Sequence, residues 1–186
     1  PKICNHIHFP LQAGSDEVLE RMNRTYTKQH FLDLARKMKD NIPGLALSTD
    51  MIVGFPGERE ADFLETIDVM EQVKFDTAFT FKYSSRPGTK AADFEDTVTE
   101  EDKQDRLLRM ITMQREHTLL RNREHIGEIF EVLVEKNSKK SENQHQGRTR
   151  SNKIVIFDKA GEQPGDLVNV KIIDAQGITL FGQIVD

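Results

Sequence analysis

A parallel α/β unit followed by a small all-β barrel of the OB-like kind is the fold this sequence predicts, and three observations predict it. Up to Tyr83, short apolar runs alternate with amphipathic helical stretches; from Thr99 to about His125 there is no Gly or Pro; after Gly127, β-branched runs follow one another with turn residues between them. The first pattern is that of βα units on a parallel sheet, doubly wound or barrel, and the last is that of short antiparallel strands that close on themselves and so lose their edges.

The elements follow in order. Ile7-His-Phe-Pro-Leu11, Leu45 to Phe55 and Thr77 to Tyr83 read as strands. Asp16–Met22 and Phe31–Met38 place apolar residues three and four apart, with Thr27 positioned to cap the second segment. Arg59–Val73 repeats that period through Phe63, Ile67, Met70 and Val73. Three strands cannot close an eight-stranded barrel, so further strands are expected upstream, and a start at Pro1 without an initiator Met agrees with a piece of a longer protein. Ser84–Thr89 is a turn, and the chain through Thr97 reads as an extended connection. Thr99-Glu-Glu-Asp102 fits a capping box and opens a helix of about 40 Å at 1.5 Å per residue, its apolar stripe being Leu107, Leu108, Ile111, Leu119 and Leu120. The barrel strands are expected at Glu128–Val134, Arg150–Phe157, Leu167–Ile173 and Ile178–Val185, with Gly147-Arg-Thr149 either a further short strand or the start of the second. Residues 1–125 and 126–186 are thus the two expected domains.

With 26 Lys and Arg against 31 Asp and Glu, the 186 residues carry a net charge of −5, so any polyanion contact needs a local patch. Hydrophobic residues at 37% exclude wholesale disorder, and no apolar run approaches the ~20 residues of a membrane helix. Cys4 is the one cysteine; it forms no internal disulfide and builds no zinc or iron–sulfur site alone, which suits a reducing, cytoplasmic setting.

Three stretches carry candidate chemistry. In His6-Ile-His-Phe-Pro-Leu-Gln-Ala-Gly-Ser15, polar groups follow a strand at the end where parallel α/β proteins bind ligands, so Gln12 and Ser15 are candidates for a ribose or carboxylate, against a plain turn and helix cap. His6 and His8 share a face, but no third metal ligand accompanies them. Asp50-Met-Ile-Val-Gly-Phe-Pro-Gly-Glu58 ends a strand in a glycine-bracketed turn, where Ile52 or Val53 offers an apolar surface to a flat base; it is neither a Walker loop nor Gly-x-Gly-x-x-Gly. Lys136, Lys139, Lys140, Arg148, Arg150 and Lys153 face Glu142 alone within residues 136–153, a local +5 in an acidic chain. That reversal of sign on a small barrel is what nucleic-acid backbone binding requires, against a merely solvated loop. Phe130, Phe157 and Phe181 read as core by parity, so phosphate contact is expected to outweigh base stacking. Arg86, at a strand end, suits a phosphate or carboxylate, or is an exposed turn residue, and Arg24 is equally open.

Taken together, His6 to Asp16, Met22-Asn-Arg-Thr-Tyr-Thr27, Thr49 to Glu58, Tyr83-Ser-Ser-Arg-Pro-Gly-Thr89 and Gly147-Arg-Thr-Arg-Ser-Asn152 closely resemble the C-terminal half of the methylthiotransferases of the radical S-adenosylmethionine superfamily. Met-Asn-Arg-x-Tyr-Thr and the basic Gly-Arg-Thr-Arg-x-Asn strand are most similar to the MiaB branch, which modifies tRNA.

The resemblance implies the last part of a radical S-adenosylmethionine barrel, partial and TIM-like, with trailing helices over 1–125, and a TRAM domain that holds tRNA over 126–186. It implies S-adenosylmethionine and two 4Fe-4S clusters in a full-length parent, with every cluster ligand upstream of this chain and no metal role for Cys4. Gln12 and Ser15 fall where similar barrels meet the cofactor's ribose or amino-acid portion, Arg24 meets its carboxylate, and Ile52 and Val53 flank adenine; Ala13 replaces the commoner serine of Leu-Gln-Ser-Gly-Ser. RNA contact falls to Arg86, Lys139, Lys140, Arg148, Arg150 and Lys153. The implied reaction inserts a methylthio group at C2 of N6-isopentenyladenosine beside the anticodon of a tRNA, with no side chain of these residues as general acid or base. Other partners are the upstream domains of the same polypeptide. The chain alone is expected to be inactive. The alternatives are a ribosomal protein or another tRNA adenosine as substrate, or noncatalytic RNA binding.

Overall fold

The computed structural model describes residues 3–185. It contains a three-stranded sheet with helical connections and a closed five-stranded barrel.

In the sheet, β1 (His6–His8), β2 (Ala46–Val53) and β3 (Thr77–Lys82) lie in that order, and β2 and β3 run parallel with Asp50 beside Phe79 and Ile52 beside Phe81. The connections are α1 (Asp16–Arg21), α2 (Lys28–Asn41) and α3 (Glu60–Val73). The predicted first strand is split. After β1 the chain leaves the ladder at Pro10, which has no N–H to donate, and returns at Gln12. There the Gln12 N–H donates to the Asp50 carbonyl (2.9 Å) and the Ile52 N–H donates to the Gln12 carbonyl (2.8 Å). Thr27 caps α2 as expected, its Oγ1 accepting from the His30 N–H at 3.2 Å. Along β2 the alternation is one-sided: Leu47, Thr49, Met51 and Val53 are fully buried, in a core with Phe31 and Leu32 of α2 and Phe63, Val69 and Met70 of α3. The opposite face presents Ile52 half-buried and Phe79 and Phe81 about half exposed (52% each).

The segment read as an extended connection to Thr97 instead holds a 3₁₀ turn, Lys90–Asp93, because the Tyr83 hydroxyl donates to the Ala91 carbonyl (3.0 Å) and draws the loop in. Helix α4 (Glu100–Arg123) starts from Thr99, whose Oγ1 accepts from the Asp102 N–H (3.1 Å) and donates to the Asp102 carboxylate (2.7 Å). Its buried stripe differs from the apolar one expected. Leu108 and Leu120 are exposed, whereas Lys103, Arg106, Met110, Gln114, His117, Thr118 and Asn122 are buried, a mostly polar face at helical spacing. Apolar periodicity does not reveal such a face, because its polar groups are buried by virtue of specific partners. Arg106 Nη1 donates to the Glu58 carboxylate (2.9 Å) and carbonyl (3.1 Å); Lys103 Nζ donates to Asp96 (2.6 Å) and Glu100 (3.2 Å); Gln114 Nε2 donates to the Phe75 carbonyl (2.8 Å).

The barrel comprises β4 (Ile129–Asn137), β5 (Gln144–Thr149), β6 (Ile154–Asp158), β7 (Leu167–Gln176) and β8 (Thr179–Ile184), closed in the order β4-β5-β6-β8-β7. Gly147-Arg-Thr149 therefore belongs to a strand of its own. All neighbouring pairs are antiparallel except β6 with β8. Val132, Val134, Val155, Phe157, Val170, Ile172, Ala175 and Leu180 fill the interior, with Phe130 packed against them. Phe181 does not belong to this core: in β8 the buried positions are Leu180 and Gly182, and Phe181 takes the outward parity between them. By packing, residues 115–185 group with residues 3–6 and 44–46 in one compact unit, and residues 7–43 and 47–114 form the other.

Gly147, in β5, lies tightly against β4. A Cβ there would lie 2.5 Å from both the Leu133 carbonyl oxygen and Val132 Cγ1, and the first of these is backbone that cannot swing away. Gly147→Ala is expected to lower barrel stability by about 1–3 kcal/mol, read as a lower urea midpoint with an unchanged m-value. A midpoint equal to the parent's would contradict this packing. Among the described residues, no helix is long and apolar enough to cross a membrane.

Candidate cofactor and nucleic-acid sites

The strand-end loop after β1 is fixed from four directions. The Leu11 N–H donates to Thr49 Oγ1 (2.9 Å), the Tyr26 hydroxyl donates to the Leu11 carbonyl (2.9 Å), and the Gly14 N–H donates to Thr66 Oγ1 (2.8 Å). Ser15 Oγ donates to Asp62 Oδ1 at 2.8 Å. Gly14 is required by contact: a Cβ would meet the Glu65 carbonyl oxygen and Thr66 Cα of α3 at 2.5 Å. Tyr26 and Thr66, which the sequence reading passed over, thus hold this loop.

Within the loop Gln12 is held at φ 69°, a left-handed conformation costly for a residue with a Cβ and concentrated at functional sites. Its side chain is nearly buried and carries no hydrogen bond among the described residues. Its ladder partner is Met51, which is fully buried, while the next residue, Ile52, has the opposite parity and looks out of the uncovered face. Arg24 is exposed with no ion pair among the described residues. Two expected cofactor residues are placed otherwise. Ser15 is 1% exposed, caps α1 and bonds Asp62, so the cap reading describes it; Val53 is wholly buried, because adjacent strand residues face opposite sides and Ile52 has the open one.

Asp62 gathers this end of the unit. Besides Ser15 it accepts from the Arg59 N–H (2.9 Å), Nε (2.9 Å) and Nη2 (3.1 Å), and the Arg59 hydrogen bond, aided by the others, lowers its pKa to about 2. A carboxyl depressed in the folded state stabilises above its unfolded pKa, near 4, and loses that contribution as pH falls towards 2. Asp62→Asn is therefore expected to remove about 1–2 kcal/mol at pH 7 and to flatten the fall in stability between pH 4 and 2, measured by urea unfolding across that range. An undiminished acid limb would assign it to other carboxylates. Nearby, Glu58 accepts from the Gly54 N–H (2.7 Å) and from Arg106, tying the β2 strand-end turn to α4; burial raises its pKa, and the Gly54 and Arg106 contacts oppose that rise.

His8 reaches Ser48 Oγ through Nδ1 (3.0 Å) and Asp50 Oδ2 through Nε2 (3.2 Å). Among the described residues no group of three or more His, Cys, Asp or Glu could hold a metal, and Cys4 is exposed and free, so the described residues do not fit an iron–sulfur cluster.

On the barrel, Lys139 and Lys140 are exposed in the β4–β5 loop without an ion pair among the described residues, as is Arg86 in the loop after β3. Arg148 and Arg150 are partly exposed and paired across the strands: Arg148 Nε with Glu135 Oε1 (3.1 Å), and Arg150 Nε and Nη2 with Glu131 Oε1 (2.9 Å each). Those carboxylates lie on β4, outside the window that gave the local +5, and they reduce the patch. Lys153 is corrected outright. It is 8% exposed, with Nζ donating to Asn122 Oδ1 (3.0 Å), while Asn122 Nδ2 donates to the Gly177 carbonyl (2.9 Å), so it bolts the end of α4 to the barrel.

A three-stranded α/β sheet and a closed five-stranded barrel make up this chain, and known proteins match each part. Residues 2–70 match the Radical SAM superfamily and residues 123–185 match the TRAM domain. The chain is 49% identical over 183 residues, 98% of its length, to the tRNA-2-methylthio-N(6)-dimethylallyladenosine synthase of Syntrophomonas wolfei, and 48% identical over 185 residues to that of Thermoanaerobacter sp. X514. Its similarity to these synthases runs through both matched regions. It spans 41% and 39% of the length of those two relatives. Coproporphyrinogen III oxidase (HemN) from Escherichia coli, a radical SAM enzyme, shares the fold at a TM-score of 0.53 and 14% identity, over 78% of this chain and 41% of that one.

Proposed function

We propose that the chain is part of a tRNA methylthiotransferase that places a methylthio group at C2 of N6-dimethylallyladenosine beside the anticodon, in the cytoplasm. The observation that carries this reading is the 49% identity to such a synthase, which runs from the radical SAM region through the TRAM domain. S-adenosylmethionine, when bound, supplies the radical chemistry. The residues of this chain that fit it are Gln12, strained and with an uncommitted amide, Ile52 on the open sheet face, and Arg24, an exposed cation for a carboxylate. Their part is to bind and orient. The two 4Fe-4S clusters are assigned to a region upstream of these residues.

The barrel is assigned to the anticodon stem-loop. Lys139, Lys140, Arg148 and Arg150 are the phosphate-contacting groups there, and Arg86 serves from the loop after β3. Sequencing the reading frame upstream of Pro1 tests the enzymatic part. The proposal expects Cys-x-x-x-Cys-x-x-Cys, with three further cysteines before it; a frame without them leaves an RNA-binding protein and removes the catalytic assignment.

A further inference from the structure

Arg148 is held from two sides. Its Nε donates to Glu135 (3.1 Å), while its Nη1 donates to both the side-chain oxygen (2.8 Å) and the carbonyl (3.2 Å) of Asn152. Both partners stand in specialised backbone. The β4–β5 register shifts between Val134 and Lys136, which makes Glu135 the extra residue of a bulge, aimed outward at Arg148 and within 3.5 Å of Gln146 Nε2. Asn152 takes φ 64° in the turn between β5 and β6. That turn is closed by the Asn152 N–H to the Thr149 carbonyl (2.9 Å), the Thr149 N–H to the Lys153 carbonyl (3.0 Å) and the Lys153 N–H to Thr149 Oγ1 (3.1 Å). Two edges of the guanidinium are thereby fixed. Nη2 has no partner among the described residues, on a side chain 38% exposed.

We propose that Arg148 is a pre-set contact for one RNA backbone phosphate, fixing the register of the RNA on the barrel, and that Glu135 and Asn152 are its positioning residues. This rests on the RNA-binding reading above and goes beyond it. The lysines 139 and 140 supply diffuse attraction, whereas Arg148 offers its Nη2 to a phosphate oxygen without the entropic cost of ordering a long side chain at the moment of binding. Glu135 therefore favours RNA binding although it is negative. Its charge acts against the polyanion, but its geometry acts for it.

That opposition of charge and geometry can be measured on the whole chain, with an anticodon stem-loop RNA as probe and affinity read by fluorescence anisotropy. Glu135→Ala is expected to weaken binding about three- to tenfold, the range that corresponds to re-ordering one long side chain. Glu135→Gln keeps an acceptor for Nε and is expected to bind at least as tightly as the parent. In the Arg148→Ala background, Glu135→Ala is expected to have no further weakening effect, because it acts through Arg148. Equal or tighter binding by Glu135→Ala overturns the inference and makes Glu135 a competitor for the arginine; the RNA reading then stands if Arg148→Ala still weakens binding. A parent chain that binds no stem-loop at low salt overturns both. Thermal unfolding of each variant within a few degrees of the parent separates these effects from loss of fold.

Discussion

Replacing Arg106 by alanine is expected to destabilise the α/β unit by about 3–5 kcal/mol, the cost of leaving a buried carboxylate without its partner. The side chains of Arg106 and Glu58 are 7% and 1% exposed, and the pair is 2.9 Å apart. Glu58 has two supporting contacts, the Gly54 N–H and Arg106, and burial pushes its pKa up against both. With the guanidinium removed, its ionised form is left with the Gly54 N–H alone, and the group takes up a proton in the folded state. A raised folded pKa adds stability at low pH that is lost as pH rises through it. The variant is thus expected to be relatively more stable at pH 5 than at pH 8, by urea unfolding at both. Exchanging both residues, Arg106→Met with Glu58→Gln, should recover most of the loss. A single-variant loss below about 1 kcal/mol would show that the pair is hydrated and contributes little.

The second large effect concerns RNA. Arg148→Ala with Arg150→Ala is expected to weaken stem-loop binding by about tenfold or more and to reduce the slope of log affinity against log salt by about 0.7–0.9 for each phosphate no longer neutralised. Neither arginine is wholly free in the unbound chain, since Glu135 and Glu131 bond them, so the loss per arginine is smaller than for an unpaired cation at low salt. Affinity and salt slope that both remain at the parent's values would remove this strand from the interface.

The alternation of apolar runs made the sheet and barrel legible, and Thr27, Thr99 and Ser15 announced their helix starts through cap chemistry. What the sequence hid is polar and tertiary. The buried side of α4 is built from Lys103, Arg106, Gln114 and Asn122, whose burial depends on partners 7 to 55 residues away in the chain. Lys153 counted as surface charge because no local rule shows that Asn122 receives it. Ile52 and Val53 were both offered to a ligand, and only the strand's parity separates them. Phe181 was misplaced for the same reason: the inward positions beside it belong to Leu180 and to Gly182, a residue that gives no apolar signal. In the loop after β1, the strained Gln12 and the Tyr26 and Thr66 bonds that hold it needed coordinates, although Gln12 itself stood out in the sequence.

Under the proposed function, these residues belong to an enzyme that methylthiolates a prenylated adenosine in tRNA. The direct measurement is nucleoside mass spectrometry of tRNA from cells lacking their own methylthiotransferase, with this chain supplied together with its upstream reading frame. The account predicts that N6-dimethylallyladenosine is converted to its 2-methylthio derivative and that Gln12→Ala lowers the yield. Unmodified N6-dimethylallyladenosine, with a methylthio mass increment on a ribosomal protein instead, would contradict it.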